Sequence, residues 1–373
     1  MITIQRIGAR ELESISGKWN AFIRSSTNDN IFLTYEWISS WWQSFKSDAR
    51  TFYFLLACDS RQTIVGAFPF QIVRRRFGRL LHLRLLQFIG RGGFDHETEY
   101  NTFMMPPTLP GQETNVYAAV ADYLNAHNDD WDVLILANLL ATHKSTPVLE
   151  SEFKKKFKAV RSKQENNYVI VLSQTYDAFL NGLSRNQRRS FTRRLKGIQK
   201  DRAASFSIIT KEHEIENYLR DYYLLVHQRH NWTPSKEKEV FMKLLCRELA
   251  RSGWLRCYLL TLNTIPSATI FGFCYNKKYY AYKAAYNPEF FSLSPGTALY
   301  AFAIQNEIAH GSEALDYLLG EYAYKQYWCN DVRTVDYIQI IGKSVKSRCK
   351  VFLAYGLVKI RSRLKPRAWF GRT

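Results

Sequence analysis

Three side chains able to move protons or hold charge fall close together late in the chain. They are Glu321, Tyr324 and Lys325, in the segment Gly320-Glu321-Tyr322-Ala323-Tyr324-Lys325-Gln326-Tyr327-Trp328. Upstream, Ser294-Pro295-Gly296-Thr297 opens a long helical pattern. A turn of this kind leaves backbone N–H groups free at a helix start, where phosphate-like charge is stabilised. The strand Tyr279–Tyr286 leads into that turn and carries Tyr282, a candidate substrate contact. Strand, glycine turn, helix, strand and polar-aromatic loop is an order that builds a ligand crevice in an α/β domain, with hydroxyls, a carboxylate and an ammonium at its edge.

Two other stretches could bind charge. Arg91-Gly92-Gly93 opens a loop holding Asp95, His96, Glu97, Glu99 and Tyr100. From Ser184 to Arg202 there are eight Lys or Arg against one acid, Asp201, and Arg188, Arg189 and Arg193 are candidates for reaching phosphate or an acidic substrate. Leu183, Phe191, Leu195 and Ile198 share one face of that run, so a helix with a solvated basic face explains it as well.

The chain that must position these groups has 373 residues, 46% of them apolar and 15% aromatic, enough to fill the cores of two domains. Its 52 Lys and Arg exceed its 33 Asp and Glu, for a net charge of +19. A negatively charged partner is expected: a phosphate-rich cofactor, RNA or an anionic membrane face. The six cysteines show no CxxC spacing, which points to free thiols and away from zinc or a disulfide framework; no metal is expected. The N-terminus lacks a signal pattern, and no apolar run approaches the roughly 20 residues of a membrane span. The expected location is cytoplasmic, with peripheral attachment at an inner membrane the alternative.

Read in order, the first half runs strand (Met1–Ile7), two amphipathic helices, three apolar strands (Thr51–Ala57, Ile64–Val73, Leu80–Ile89), helix, strand, helix and strand (Asn167–Leu172). The second half repeats that order from Tyr176, with strands at Leu255–Leu262, Ser267–Tyr275 and Tyr279–Tyr286. Consecutive strands followed by strand–helix–strand predict a mixed sheet with helices on both faces. The predicted boundaries are 1–175, 176–341 and a basic tail, 342–373. That tail has ten Lys or Arg and no acid, with apolar residues between them. It reads either as a helix lying on anionic lipid or as a terminal helix packed on its domain.

The basic run Leu183–Leu195, the turn Leu293-Ser294-Pro295-Gly296 and the segment Asp316-Tyr317-Leu318-Leu319-Gly320-Glu321-Tyr322-Ala323-Tyr324-Lys325 together resemble the GNAT-type acyltransferases of the cellulose-biosynthesis-associated (CelD/BcsL-like) group. More distantly the chain is similar to the Fem-type aminoacyl transferases. The resemblance implies an α/β (α+β) fold of two tandem GNAT-like domains, each a mixed, mostly antiparallel sheet flanked by helices. The N-terminal domain would be degenerate and shape the acceptor side; the C-terminal one would hold the site. It also implies acyl transfer from acyl-CoA, acetyl or longer, to a sugar, amine or hydroxyl of a cell-envelope polysaccharide, sugar precursor or related metabolite.

Within that chemistry Ser294, Gly296, Thr297, Arg188 and Arg189 are the expected cofactor contacts. Tyr324 is the candidate acid for the departing thiolate, Lys325 orients substrate or stabilises negative charge, and Glu321 is a candidate base. Glu99, Tyr100, Asp95 and Tyr282 are assigned to the acceptor. The glycine-rich phosphate loop of ordinary GNAT enzymes is degenerate here, and the strand Ala268–Tyr275 carries no carboxylate base. Two alternatives therefore stand beside acyl-CoA transfer: an aminoacyl-tRNA donor, and a non-catalytic scaffold for polysaccharide synthesis at an anionic membrane surface.

Overall fold

The computed structural model describes residues 2–77, 81–90, 105–200 and 203–364. The chain divides into two compact units, residues 1–166 with 333–373, and residues 167–332.

In the first unit, β1 (Thr3–Ile7) precedes α1 (Ala9–Ser14), α2 (Ser16–Ser25) and α3 (Tyr35–Phe45), then β2 (Arg50–Cys58), β3 (Ile64–Phe77) and β4 (Leu81–Phe88). There follow α4 (Glu113–Ala126), β5 (Val133–Leu140), α5 (Ser145–Lys156) and β6 (Ala159–Val171), of which residues up to Asn166 belong here. β1 to β4 form an antiparallel meander and β4 meets β5 in parallel. Buried Trp19, Trp37 and Trp41 put large aromatic area under the meander.

The second unit continues with α6 (Tyr176–Gly182), α7 (Arg185–Gln199), β7 (Ala204–Ile209), α8 (Ile215–His230) and α9 (Lys236–Arg251). β8 (Cys257–Leu262), β9 (Ile265–Tyr275), β10 (Lys278–Tyr286), α10 (Pro295–Ala309), β11 (Ala314–Leu319) and α11 (Ala323–Trp328) complete it. Its strand order is β6-β11-β10-β9-β8-β7, antiparallel except for the β10–β11 pair. Helix α7 starts in a capping box: Gln187 N donates to Ser184 Oγ (3.3 Å), and Ser184 N donates to Gln187 Oε1 (3.0 Å). Its Phe191, Leu195 and Ile198 enter a core with Tyr258, Ile270 and Leu299. The basic run is thus both things at once, a packed stripe and a cationic face.

The chain then returns. β12 (Asp331–Ile341) pairs antiparallel with β5 of the first unit, and α12 (Val345–Leu364) follows it. This corrects the expected boundaries. The strand from Arg333 belongs with the first unit, because Val335, Ile338 and Ile340 are buried in register with Leu140, Leu136 and Leu134. The tail is no separate appendage either. Ala354 and Val351 pack on Phe77, Leu83, Leu85 and Val133. Ser347 Oγ donates to the buried Asp132 carboxylate at 2.8 Å, and Lys350 Nζ reaches it at 3.1 Å.

Candidate functional site

The site in the second unit begins as a defect in a sheet. Strands β10 and β11 run parallel but pair only over Lys278–Tyr280 and Ala314–Asp316. Beyond this the two strands stop matching, and both change course. β10 carries a bulge between Ala281 and Lys283 in its pairing with β9. β11 slips register against β6 between Asp316 and Leu319, with Leu318 at φ 59° and Gly320 at φ 112°. Asp316 Oδ1 holds the slip by accepting from Leu318 N at 2.9 Å. A bulge bends its strand and re-aims side chains, and a non-glycine residue at positive φ stores strain. The result is a wedge at the carboxyl ends of two parallel strands.

One wall of the wedge is aromatic. Tyr300 of α10, Tyr317 of β11 and Tyr324 of α11 have ring centroids 5.1–6.0 Å apart, and Tyr322 lies 5.9 Å from Tyr324. Tyr300 and Tyr324 are joined through their hydroxyls. Burial pushes the Tyr324 hydroxyl up to about 12, against a smaller lowering from the Tyr300 hydrogen bond. The residue as a whole is 40% exposed. Tyr324 is therefore a protonated phenol at neutral pH, reachable from solvent. The Tyr317 hydroxyl is buried and has no hydrogen-bond partner among the described residues, an arrangement that costs free energy unless a water or ligand satisfies it.

The start of α10, the helix that follows β10, is cationic. Asn287 caps a short 3-10 turn, Pro288–Leu293, and Ser294 at φ 51° hands the chain to α10 with proline in its first turn. Arg193, Arg194 and Gly197 of α7 face Ser292, Leu293 and Ser294 across a cleft of about 310 Å³. Arg194 Nη1 donates to Thr297 Oγ1 at 3.4 Å. A Cβ added to Gly296 would meet nothing nearer than Tyr286 Cδ1 at 3.9 Å. The helix start, two guanidinium groups and an open glycine together fit a phosphate-bearing group.

Several residues expected from sequence sit elsewhere. Arg188 Nη1 bonds Asn181 at 3.1 Å, and Arg189 is exposed one turn before Arg193. Neither lines the cleft, which takes Arg193 and Arg194 instead. Lys325 is buried, its Nζ donating to Leu319 O at 2.6 Å and lying 5.3 Å from the Tyr322 ring centroid. Its ammonium ties the strained loop together and points away from solvent. Glu321 is exposed on that loop. Tyr282 is buried against Phe271 and Phe273, on the sheet face covered by α8. Asp95, Glu99 and Tyr100 lie outside the described residues.

Sequence reasoning passed over Arg194, Tyr300 and Tyr317. Arg194 was hidden among seven other cations. Tyr300 and Tyr317 carry no separate signal in the sequence, and the fold brings them to Tyr324. Among the described residues, no group of three or more His, Cys, Asp and Glu side chains could hold a metal.

No curated protein sequence matches the chain. Among solved structures it is similar to FemX, with a TM-score of 0.58 and 10% identity over 90% of this chain and 96% of that one. It is also similar to the C-terminal domain of a putative lysylphosphatidylglycerol synthetase from Agrobacterium fabrum, at TM-score 0.53, 8% identity, 94% of this chain and 96% of that one. A tandem GNAT protein from the clavulanic acid biosynthesis pathway gives 0.50, 12%, 92% and 100%. At such identities the likeness is one of fold, and the fold is the mixed α/β, tandem GNAT-like one that the sequence leads one to expect. Residues 185–326, the stretch holding the basic helix, the wedge and Tyr324, match the family described as acetyltransferase (GNAT) domain.

Proposed function

We propose that the second unit transfers an acyl group from acyl-CoA to an amine or hydroxyl acceptor, with a cell-envelope polysaccharide, sugar precursor or related metabolite as the acceptor class. One observation carries this reading: within the stretch that matches a GNAT acetyltransferase domain, β10 and β11 part where Tyr317 meets Tyr324, and α10, the helix after β10, starts beside Arg193 and Arg194. The donor supplies a thioester carbonyl. Ser294, Gly296, Thr297 and the two arginines hold its phosphates by charge and by the first N–H groups of α10.

In the transfer, the acceptor nitrogen or oxygen bonds to the carbonyl carbon, the C–S bond breaks, and the thiolate takes the proton of the Tyr324 hydroxyl. The acceptor's own proton leaves to Glu321 or to water. Lys325 acts through the loop it holds. Its buried ammonium keeps Gly320–Tyr324 in the shape that aims the phenol.

Titration of the purified chain with acetyl-CoA and a longer acyl-CoA by calorimetry tests the donor. Binding is expected, weakened about tenfold or more in Arg193→Gln/Arg194→Gln, since each charge-assisted phosphate contact is worth roughly 1.5–3 kcal/mol. Absence of binding to both donors overturns the proposal. A second reading has support of its own. Arg185, Arg188, Arg189 and Lys196 of α7 and Lys200 at its C-cap are exposed outside the cleft, more cation than a CoA pyrophosphate uses, and a longer polyanion such as aminoacyl-tRNA would engage them. Tight tRNA binding that falls steeply with salt, with no acyl-CoA binding, would favour that donor.

A further inference from the structure

Helix α12 is pinned on one side and bare on the other. Ser347, Lys350, Val351 and Ala354 recur at helical spacing and face the first unit, on Asp132 and on the cluster around Leu83 and Val133. The opposite stripe is centred on Val345, Cys349 and Phe352, with Leu353 and Lys346 on one flank and Arg348 and Tyr355 on the other. Val345 and Phe352 are each 77% exposed, and Leu353 and Tyr355 are exposed with them. Four large apolar side chains in three turns of an otherwise ordinary surface helix are not expected of a face meant for water.

Charge says what covers this face. From Gly342 to Thr373 the chain has ten Lys or Arg and no Asp or Glu. A polyanion without an apolar phase would neutralise the cations and leave Phe352 and Leu353 in water. A second copy of the same face would bring like charges together. An anionic bilayer satisfies both halves, because apolar side chains enter the acyl boundary while Lys and Arg stay with the headgroups. We propose that the outward face of α12 docks the first unit on an anionic lipid surface, lying in the interface with Val345, Phe352 and Leu353 inserted. No helix among the described residues is long and apolar enough to cross a membrane.

The test is co-sedimentation of the full chain with vesicles of phosphatidylglycerol and phosphatidylcholine, and with phosphatidylcholine alone. Binding only to the anionic vesicles is expected, falling with salt. Phe352→Ser/Leu353→Ser should lower the partition coefficient about tenfold or more with an unchanged melting temperature, as both side chains are largely exposed. Lys346→Glu/Arg348→Glu should do the same through charge. Failure to bind anionic vesicles overturns the proposal. So does binding that Phe352→Ser/Leu353→Ser leaves intact, which would place the contact elsewhere on this basic chain. A dimer in gel filtration that the same variant dissolves would assign the face to a second copy and equally overturn it. Acyl transfer enters none of these readouts.

Discussion

Tyr324 owes its suitability as an acid to where its hydroxyl sits. Burial lifts it to about 12 against the lowering by the Tyr300 hydrogen bond, so it holds its proton across the range in which most acceptor amines become nucleophilic. A thiol is ordinarily more acidic than that, at about 8.5, so Tyr324 donates a hydrogen bond to the sulfur as the C–S bond stretches and passes its proton on only as the acceptor's proton replaces it. Tyr324→Phe is expected to lower kcat by about 10²–10⁴ with donor affinity unchanged. The measurement is steady-state kinetics beside donor calorimetry, and unchanged turnover would remove the acid assignment. The pH profile gives a second check. No loss of activity from ionisation of this acid should appear below about pH 10, because its pKa is raised and not lowered. The residue type and the neighbourhood of Tyr324 were legible in the sequence. The inward aim of Lys325 was not, since a lysine near the start of a short helix ordinarily reaches water and only the turned-back carbonyls of Leu318 and Leu319 capture it.

The wedge depends on how β11 ends. Gly320 sits at φ 112°, and a Cβ there would come within 2.9 Å of the Tyr322 ring and 3.4 Å of Lys325 Nζ. Side chains rarely adopt that backbone conformation, so Gly320→Ala must move the loop or strain it by roughly 1–3 kcal/mol. The expected outcome is a drop in kcat of at least about tenfold, with donor affinity retained because Arg193, Arg194 and the α10 start lie outside the loop. Loss of donor binding in step with kcat would mean that the loop holds the phosphates as well. At this scale the order of elements was readable from period and punctuation: three consecutive strands, the Asn276-Lys277 turn at positive φ, and the proline-led α10. The bulges at Tyr282 and Leu318 left no mark in the pattern. A register slip changes which face a side chain takes without changing the alternation on either side of it. For that reason Tyr282 could be assigned to the acceptor from sequence and be found on the α8 face.

The two units differ in how the chain closes them. Residues 167–332 are continuous, whereas the first unit is finished by a strand and a helix that return after the second has been made. No local signal announces such a return, because β12 and α12 look like the end of whatever precedes them. Asp132 marks the closure. Burial alone would raise its carboxyl. Hydrogen bonds from the Arg84 side chain and backbone, Ser347 and Lys350 outweigh that and hold it at about 2 against an ordinary 3.8. Stability from a depressed carboxylate is fully present above its unfolded value and is lost as pH falls through the folded one. The Asp132 contribution, about 2 kcal/mol, should therefore hold down to about pH 4 and drain away towards pH 2. Asp132→Asn should lower stability at neutral pH by a similar amount and flatten the acid limb, read by denaturant titration at several pH values. Calorimetry can then connect this lesion to the site. If the units unfold in separate transitions, Asp132→Asn lowers the one belonging to the first unit. Acyl-CoA raises the other, by RT ln(1 + [L]/Kd). Acyl-CoA protecting the transition that Asp132→Asn lowers would place the donor site in the first unit, and the wedge between β10 and β11 would then need another occupant.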